Sequence, residues 1–581
     1  MFWNYINSQR KCKESIPVLK GKDGKMYTDN YNKTCILNDF FSSVFTKEDM
    51  NNLPNMTPGE KSKNVFISDI LNITEENVSI KLKALNPNKS CGPDKISPRI
   101  LKELHSELAV PFTYLFNLSL KEGVLPDMWK HAEVTAIHKK GSKTDPGNYR
   151  PVSLTSVVCK VLESFLRDTI QIHMENNKLY SKCQHGFRRK KSCTSQLLEV
   201  MEDFTSFMEG RENFDVIYLD FKKAFDSVPH ERLMLKLEGY GITGNISNWI
   251  RSFLAGRTQR VKIGDQFSET SKVTSGIPQG SILGPILFTI FINDLPESIN
   301  SICKIFADDT KIYNTSNKHD MIQTDLNALI SWSNKWQLYF NSQKCKCLHH
   351  GKSNPKHEYY LENENGREVL PKGEEELDLG VYFTVNLKFD KQVNEAVRKA
   401  NMVLGLIKRN FCYIDRDVFN KLYKSLVRPH LEYAQEVWQP YLKKHSILME
   451  KVQRRATKLV PELKKLKYEQ RLAILNLPSL KYRRLRGDMI LTFNLFNNGD
   501  EDTNCKLLKK HACRENNHTR GHNRKLSKES YSLNIREYSF SQRIVNTWNA
   551  LPPYIINAKD TDTFKRLFDT HMSCHMLVYD E

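Results

Sequence analysis

Two stretches of this 581-residue chain carry the residue types that phosphoryl-transfer chemistry requires. Phe214–Asp220 (FDVIYLD) has the apolar character of a strand and ends on a carboxylate. Ser301–Thr315 reads as a hairpin, with Asp308 and Asp309 at its tip between the apolar runs SICKIFA and TKIYNT. Two such strands side by side would bring Asp220 and Asp308 to one edge of a sheet. Two-metal phosphoryl transfer needs convergent aspartates holding ions roughly 3.5–4 Å apart. Mg²⁺ accepts carboxylate oxygens together with substrate phosphates and water. Taken singly, each carboxylate element also reads as ordinary turn chemistry. A third element, Ser275–Pro285 (SGIPQGSILGP), brackets Gln279 with glycines and a proline ahead of an apolar helix, LGPILFTIFIND. Such a loop lets backbone approach a ligand closely; its plain reading is a helix N-terminal loop capped by Ser281.

The elements that must position these residues follow from periodicity. A turn at Ser90–Asp94 precedes a helix expected from about Pro98 to Lys121. From there to about residue 385, strand-like runs alternate with amphipathic helices, an α+β pattern. Beyond Phe389 the spacing turns helical over Val393–Arg409, Asp417–Val437 and Ser446–Leu459. Asn497–Ser530 reads as a loop or linker and Tyr538–His571 as a helical tail. At this length two or more domains are expected. The net charge of +20, from 87 Lys and Arg against 67 Asp and Glu, suits a polyanionic partner. Thirteen cysteines without a paired framework point to free thiols in a reducing compartment. No signal peptide is visible over Met1–Lys13, and the most apolar stretch, Gly284–Ile292, is far short of a membrane span, so no membrane partner and an intracellular site are expected.

In that order, YLDFKKAFD at Tyr218–Asp226, SGIPQGSILGP and FADD at Phe306–Asp309 resemble the palm motifs of reverse transcriptases. Ala132–Leu154 resembles the fingers motif of retroelement polymerases, and Gln184–Arg188 (QHGFR) with Ser192 resembles the motif after it. WSNKWQLYFNSQKCK, which contains Lys344, is similar to the stretch following the catalytic hairpin, and Leu379–Val381 (LGV) to the primer-grip region. The likeness is to non-LTR retrotransposons of the Jockey and chicken-repeat type, LINE-like elements. It continues through SLVRPHLEYAQEVWQPYL at 425–442, EKVQRRATK at 450–458 and FSQRIVNTWNALP at 540–552, and reaches back to Phe2–Leu19. Full elements of this kind carry an endonuclease before the polymerase. Nothing here matches it, and the chain reads as a partial open reading frame. LKFDKQV departs from the aromatic and His usual in the primer grip, which leaves that contact open.

The resemblance implies a right-hand polymerase: an N-terminal linker region 1–89, fingers 90–210, a palm with an antiparallel sheet 211–385, a helical thumb 390–490, and a linker and helical tail 491–581. The reverse transcriptase domain overall would span about 118–385. It implies template-directed addition of deoxynucleotides (dNTPs) to a primer 3′-hydroxyl, with an RNA template, a DNA primer or target, and activity in cytoplasm and nucleus. Asp220 and Asp308 would hold two Mg²⁺ ions, or Mn²⁺ in their place. Asp309 would be an outer ligand or an orienting group, and Asp226 a motif member or simply a turn former. Phe225 would be the steric gate under the sugar, or else a core ring. Gln279 would contact nucleotide or template. Arg150 and Lys139 or Lys140 would meet phosphate, with a solvated loop as the alternative. Lys344 is a candidate general acid, with a surface lysine as its plain reading.

Lys443–Arg486 carries fourteen Lys or Arg against three Glu, which suits contact of Arg454, Arg455 and Lys458 with template and primer, or a solvated face. Cys505, Cys513, His518 and His522 offer a zinc set whose Cys spacing is wide. A decayed or domesticated RNA-binding relative, an intron-maturase-like protein and an RNA-synthesising polymerase remain the alternatives.

Overall fold

The structure, a computed structural model, describes residues 16–67, 71–363, 366–510 and 522–580. Its central sheet has the strand order Lys372–Gly373, Lys346–His350, Phe214–Leu219, Asp309–Thr315, Ile302–Phe306. Neighbours run antiparallel except the parallel pair at the Lys372 edge. Phe214–Leu219 is buried at every position, because alternate side chains of a strand point to opposite faces and both faces are covered. Ile217 and Leu219 join one core with Ile305, Ile312 and the helices Val157–Asn176 and Gly284–Phe291. Phe214, Val216, Tyr218 and Tyr313 join a second core with the helix Cys193–Glu209 and the C-terminal helices. The sheet thus partitions two hydrophobic cores, and buried charged residues such as Asp215, Lys304 and Lys311 interrupt its apolar strands.

A second sheet is built on His131–His138, paired antiparallel to Tyr149–Leu154 and parallel to Thr258–Ile263. The helix Asn30–Ser43 closes it, burying Leu37 and Phe41 against Val134, Ala136, Tyr149, Val261 and Ile263. Residues 1–89, expected as a linker, therefore include integral structure. A further helix, Glu75–Lys83, buries Val78 and Leu82 in the same core as Phe116 and Leu120. Glu48 accepts from the fully buried Arg232 at 3.2 Å. The polar Asn- and Lys-rich composition concealed this, because the anchoring is by a few apolar side chains and by tertiary polar bonds. The buried Asn38 amide, for example, donates to the Glu269 carbonyl at 3.1 Å and Ser271 Oγ at 2.7 Å. The helix expected over Pro98–Lys121 is two, Pro98–Glu103 and His105–Glu122, broken at Leu104.

Beyond the central sheet the chain is helical, as its spacing predicts, with long helices at Asp390–Asn410, Lys443–Ala456 and Leu480–Asn498. The stretch 417–437, expected as one helix, is interrupted by a π-helical turn at Tyr423–Val427 and by the left-handed Ala434. The C-terminal part is fastened to the helix Cys193–Glu209. Arg536 pairs with Glu202 at 2.8 Å, Lys506 with Asp203 at 2.5 Å, and Thr503 Oγ1 donates to Glu199 at 2.5 Å. Helix Glu501–Leu507 lies inside the stretch expected as loop. Among the described residues no helix is long and apolar enough to cross a membrane.

Candidate active site

Asp220 is the first residue past the strand Phe214–Leu219, and Leu219 pairs with Thr310. That register sets chain positions 220 and 309 side by side. The hairpin closes through Ala307 and Asp308, since Phe306 pairs with Asp309 and Ala307 is left-handed at φ 56°. Asp308 thus stands at the tip, while Asp309 opens the returning strand and was expected at the tip with it. The QHGFR segment braces this turn. Gln184 Oε1 accepts from the Ala307 amide at 3.2 Å and from the Gly186 amide at 2.7 Å, and the His185 amide donates to the Ile305 carbonyl at 2.8 Å. His185 and Lys304 both reach the buried Glu199. Lys304 and Lys311 lie within the hairpin's apolar strands, and Lys311 pairs with the buried Asp378. None of Gln184, Glu199, Lys304, Lys311 or Asp378 had been given a role. A lysine inside an apolar strand is the signal that could have found them, since a buried cation demands a partner.

The carboxylates repel one another. Burial, with Asp220 adding to it and Lys139 and Arg150 opposing, pushes Asp308 above the usual carboxylate range. Asp309 opens onto the cleft but is crowded by protein. That desolvation, with Asp308, Asp378 and Asp220 nearby, raises it to about 6. Asp220 Oδ2 accepts from Lys344 Nζ at 3.0 Å, and Lys344 is half exposed. Among the described residues no group of three or more His, Cys, Asp or Glu side chains is arranged to hold a metal ion. The site is instead an open one, where one carboxylate already holds an ammonium and the ionised forms of the other two are disfavoured by burial first and by neighbouring carboxylates second. This donor set suits divalent cations that bring water and phosphate oxygens to complete their shells.

Facing the acids is a basic rim. Burial first, then Arg150 and Lys344, hold Lys139 below the ordinary lysine range, while Asp220 and Asp308 act the other way. Lys139 and Arg150 therefore belong to the carboxylate site. Lys140 lines a cleft of about 330 Å³ with Asp220, Asp309, Lys344, Lys346 and Leu379. Both lysines, which sequence could not separate, thus lie at the carboxylates, Lys139 within electrostatic reach of Asp220 and Asp308 and Lys140 on the cleft lined by Asp220 and Asp309.

Phe225 stacks on the buried Phe288 with ring centroids 4.5 Å apart and remains half-buried. Its carbonyl accepts from the Ile277 amide at 2.7 Å, which fixes it to the Gly-rich loop. Gln279 Nε2 donates to Asp226 Oδ1 at 2.8 Å, and burial pushes Asp226 up to about 6. Close approach is needed at Gly276, but to the protein itself: a Cβ there would lie 2.5 Å from the Asp226 carbonyl oxygen, and φ is +83°. Ser281 Oγ accepts from the Gly284 amide at 2.7 Å just before the helix, whose N-cap is Leu283 and not Ser281 as expected.

The helix Lys443–Ala456 does not present its basic residues uniformly. Arg454 turns inward over the rings of Tyr468 and Tyr579, at 5.1 and 4.6 Å, because its side chain completes the seat of the C-terminal segment. Arg455 and Lys458 are exposed, Arg455 donating to Asn401 Oδ1 at 3.2 Å. For the zinc set, Cys513 and His518 lie outside the described residues. His522 is engaged at both ring nitrogens, with the Trp548 carbonyl at 3.1 Å and the Arg524 amide at 3.2 Å, which leaves it no lone pair for a metal.

The sequence matches the family described as reverse transcriptase (RNA-dependent DNA polymerase) over residues 137–394. It is 27% identical over 390 residues to the probable RNA-directed DNA polymerase from transposon X-element of Drosophila melanogaster, covering 64% of this chain and 42% of that protein. It is 28% identical over 408 residues to the RNA-directed DNA polymerase from mobile element jockey of Drosophila funebris, covering 66% and 44%. A Pol polyprotein from the type-1 retrotransposable element R2 of Popillia japonica is 27% identical over 231 residues, covering 39% and 31%. The chain spans less than half the length of each of these relatives. Asp220, Asp308 and Asp309 lie inside the matched segment, so over residues 137–394 this chain is similar to the reverse transcriptase family and, more widely, to the polymerases of the jockey and X-element transposons.

Proposed function

We propose that this chain is an RNA-directed DNA polymerase that adds deoxynucleotides to a primer 3′-hydroxyl on an RNA template. The observation that carries the reading is the meeting of Asp220 with the Asp308–Asp309 turn, under a rim formed by Lys139, Arg150 and Lys344. Asp220 and Asp308 would hold two Mg²⁺ ions, with Asp309 outside them. Bound there, divalent ions would activate the attacking hydroxyl and stabilise the leaving oxygen. Arg150 offers a planar fork to phosphate oxygens and Lys139 a point charge. Held below the usual lysine range by burial and its cationic neighbours, Lys139 gains most from a polyphosphate. Lys344, on a half-exposed stem, can leave Asp220 and deliver its proton to the departing pyrophosphate. The half-buried Phe225 would lie under the sugar as its gate.

In this reading residues 90–210 serve as fingers, 211–385 as palm and 390–490 as thumb of a right hand. Poly-rA annealed to oligo-dT, with dTTP and Mg²⁺, is the deciding substrate. Labelled primer lengthened only when template, dTTP and divalent ion are all present supports the function; no extension by well-folded protein overturns it. The exposed Arg455 and Lys458 should contact the template–primer backbone. Reversing both charges should make the dependence of log affinity on log salt shallower by about two units, one per lost phosphate contact. An unchanged slope would show that this face is only solvated.

A further inference from the structure

The Leu379–Gly380 turn, at the end of the cleft that holds Asp220 and Asp309, is fastened at two points. On one side, Asp378 is buried and ion-paired with Lys311, two residues along the strand from Asp309. On the other, Tyr433 donates its hydroxyl to the Leu379 carbonyl at 2.8 Å. Its ring edge lies so near Gly380 that a Cβ there would sit 3.0 Å from Cε1, and Gly380 has φ +85°. Leu379 is itself left-handed, at φ 44°. The turn therefore depends on its partners to hold its shape, because a left-handed leucine is a sterically costly conformation.

Tyr433 is delivered to this place by an irregular stretch. The π-helical turn Tyr423–Val427 precedes it, and Ala434, left-handed at φ 48°, follows it. The buried Trp438 Nε1 donates to the Tyr433 carbonyl at 2.9 Å. A π-turn and a left-handed alanine within a dozen residues are a conformational cost that a plain helix would avoid, and such costs concentrate where a side chain must be aimed. Yet Tyr433 as a residue is 47% exposed. A tyrosine kept for packing alone would be covered; this one uses its hydroxyl to hold a turn and leaves much of its ring open. Burial pushes the phenol up to about 12, so it remains a donor at neutral pH.

We propose that Tyr433 is a positioning residue for the strand that supplies the reacting 3′-hydroxyl: it pins the Leu379–Gly380 turn over the carboxylate cleft and offers its exposed ring to that strand's terminal nucleotide. The proposal rests on the polymerase reading above and adds a residue from the helical region to the site. Tyr433 touches neither the carboxylates nor the incoming nucleotide, so it sets the approach of the hydroxyl and leaves nucleotide affinity alone.

The test is single-turnover extension of oligo-dT on poly-rA by the full chain and by Tyr433→Phe, which keeps the ring and removes the hydroxyl that bonds Leu379 and meets the Cys193 thiol. The single-turnover rate should fall about fivefold, the worth of one such hydrogen bond. The KM for dTTP should stay at the unaltered value, and the melting temperature should fall by no more than the loss of one partly exposed hydrogen bond implies. Tyr433→Ala, which also removes the ring, should fall further and weaken primer-terminus binding. A purely structural tyrosine would lower the melting temperature of both variants and leave the rate per folded molecule unchanged, which overturns the proposal. So does a Tyr433→Phe rate equal to that of an active unaltered chain, with the polymerase reading intact. Absence of extension by the unaltered chain overturns both together.

Discussion

Exchanging Asp308 for Asn should lower the rate of primer extension by at least about a thousandfold, equivalent to roughly 4 kcal/mol of transition-state stabilisation. The same exchange should leave the folded state as stable as before, or more so. Asp308 forms the hairpin tip with Ala307, and Asn matches its size and tolerates turn conformations equally well. The folded protein holds its carboxyl above the usual range through burial and the nearby Asp220. A group whose folded value is raised destabilises the fold when ionised, so at neutral pH the charge costs stability; well below the ordinary carboxylate range, where the group is protonated either way, the cost vanishes. The amide removes that cost. Melting temperatures of the two proteins should therefore differ most near neutrality, with the Asn protein at or above the other, and converge in acid. A catalytic carboxylate shows opposite signs in the two measurements. If Asp308 were only a turn former, extension would survive, and near-unaltered activity of this variant would remove the carboxylate site from the mechanism. Asp220→Asn gives a useful contrast, since it deprives Lys344 of its partner. That pair is half exposed and worth under about 1 kcal/mol, so activity should again be lost with little change in stability.

Phe225→Val is expected to raise the ratio of ribonucleotide to deoxynucleotide kcat/KM by about a hundredfold, nearly 3 kcal/mol of lost discrimination. The argument is one of exclusion. A ring lying under the sugar leaves no room for a 2′-hydroxyl, and trimming it removes the clash while Asp220, Asp308 and Asp309 stay in place. The structure adds a complication that can be measured. The inner face of the ring stacks on Phe288, so valine also removes core contact and should cost about 1–3 kcal/mol of stability. Phe288→Leu separates the two effects, because it weakens the support from behind without altering the outer face of Phe225. It should lower the melting temperature by a comparable amount while the sugar ratio changes little. If both variants lose stability and neither changes the ratio, Phe225 is a core ring and sugar selection lies elsewhere.

The carboxylates, the loop around Gln279 and the alternation of strand and helix were legible from the sequence because they are local. A strand that ends on Asp220, a hairpin that carries Asp308 and Asp309, and a glycine-bracketed loop are each specified by neighbouring residues, and the order of all three is already a resemblance. The helices at Asp390–Asn410 and Lys443–Ala456 were equally plain from their 3.6-residue spacing, whereas the breaks within 417–437 were not. Only the tertiary structure decided which of the basic and polar residues face the site. Lys139 and Lys140 are adjacent in sequence, and both come to the carboxylates, Lys139 toward Asp220 and Asp308 and Lys140 on the cleft lined by Asp220 and Asp309. Arg454 and Arg455 are adjacent on one helix, and a step of about 100° turns the first onto Tyr468 and Tyr579 and the second to solvent. Residues 30–43 looked like part of a linker because their anchoring is by two apolar side chains and by bonds to residues more than two hundred positions away. The same holds for Tyr433 and Leu379, 54 residues apart, and for Glu199 with Thr503, 304 apart. Periodicity and motif spacing report what a segment does within its own few turns; the pairing of two distant polar groups is set by how sheets and helices stack, and the chain discloses it only when folded.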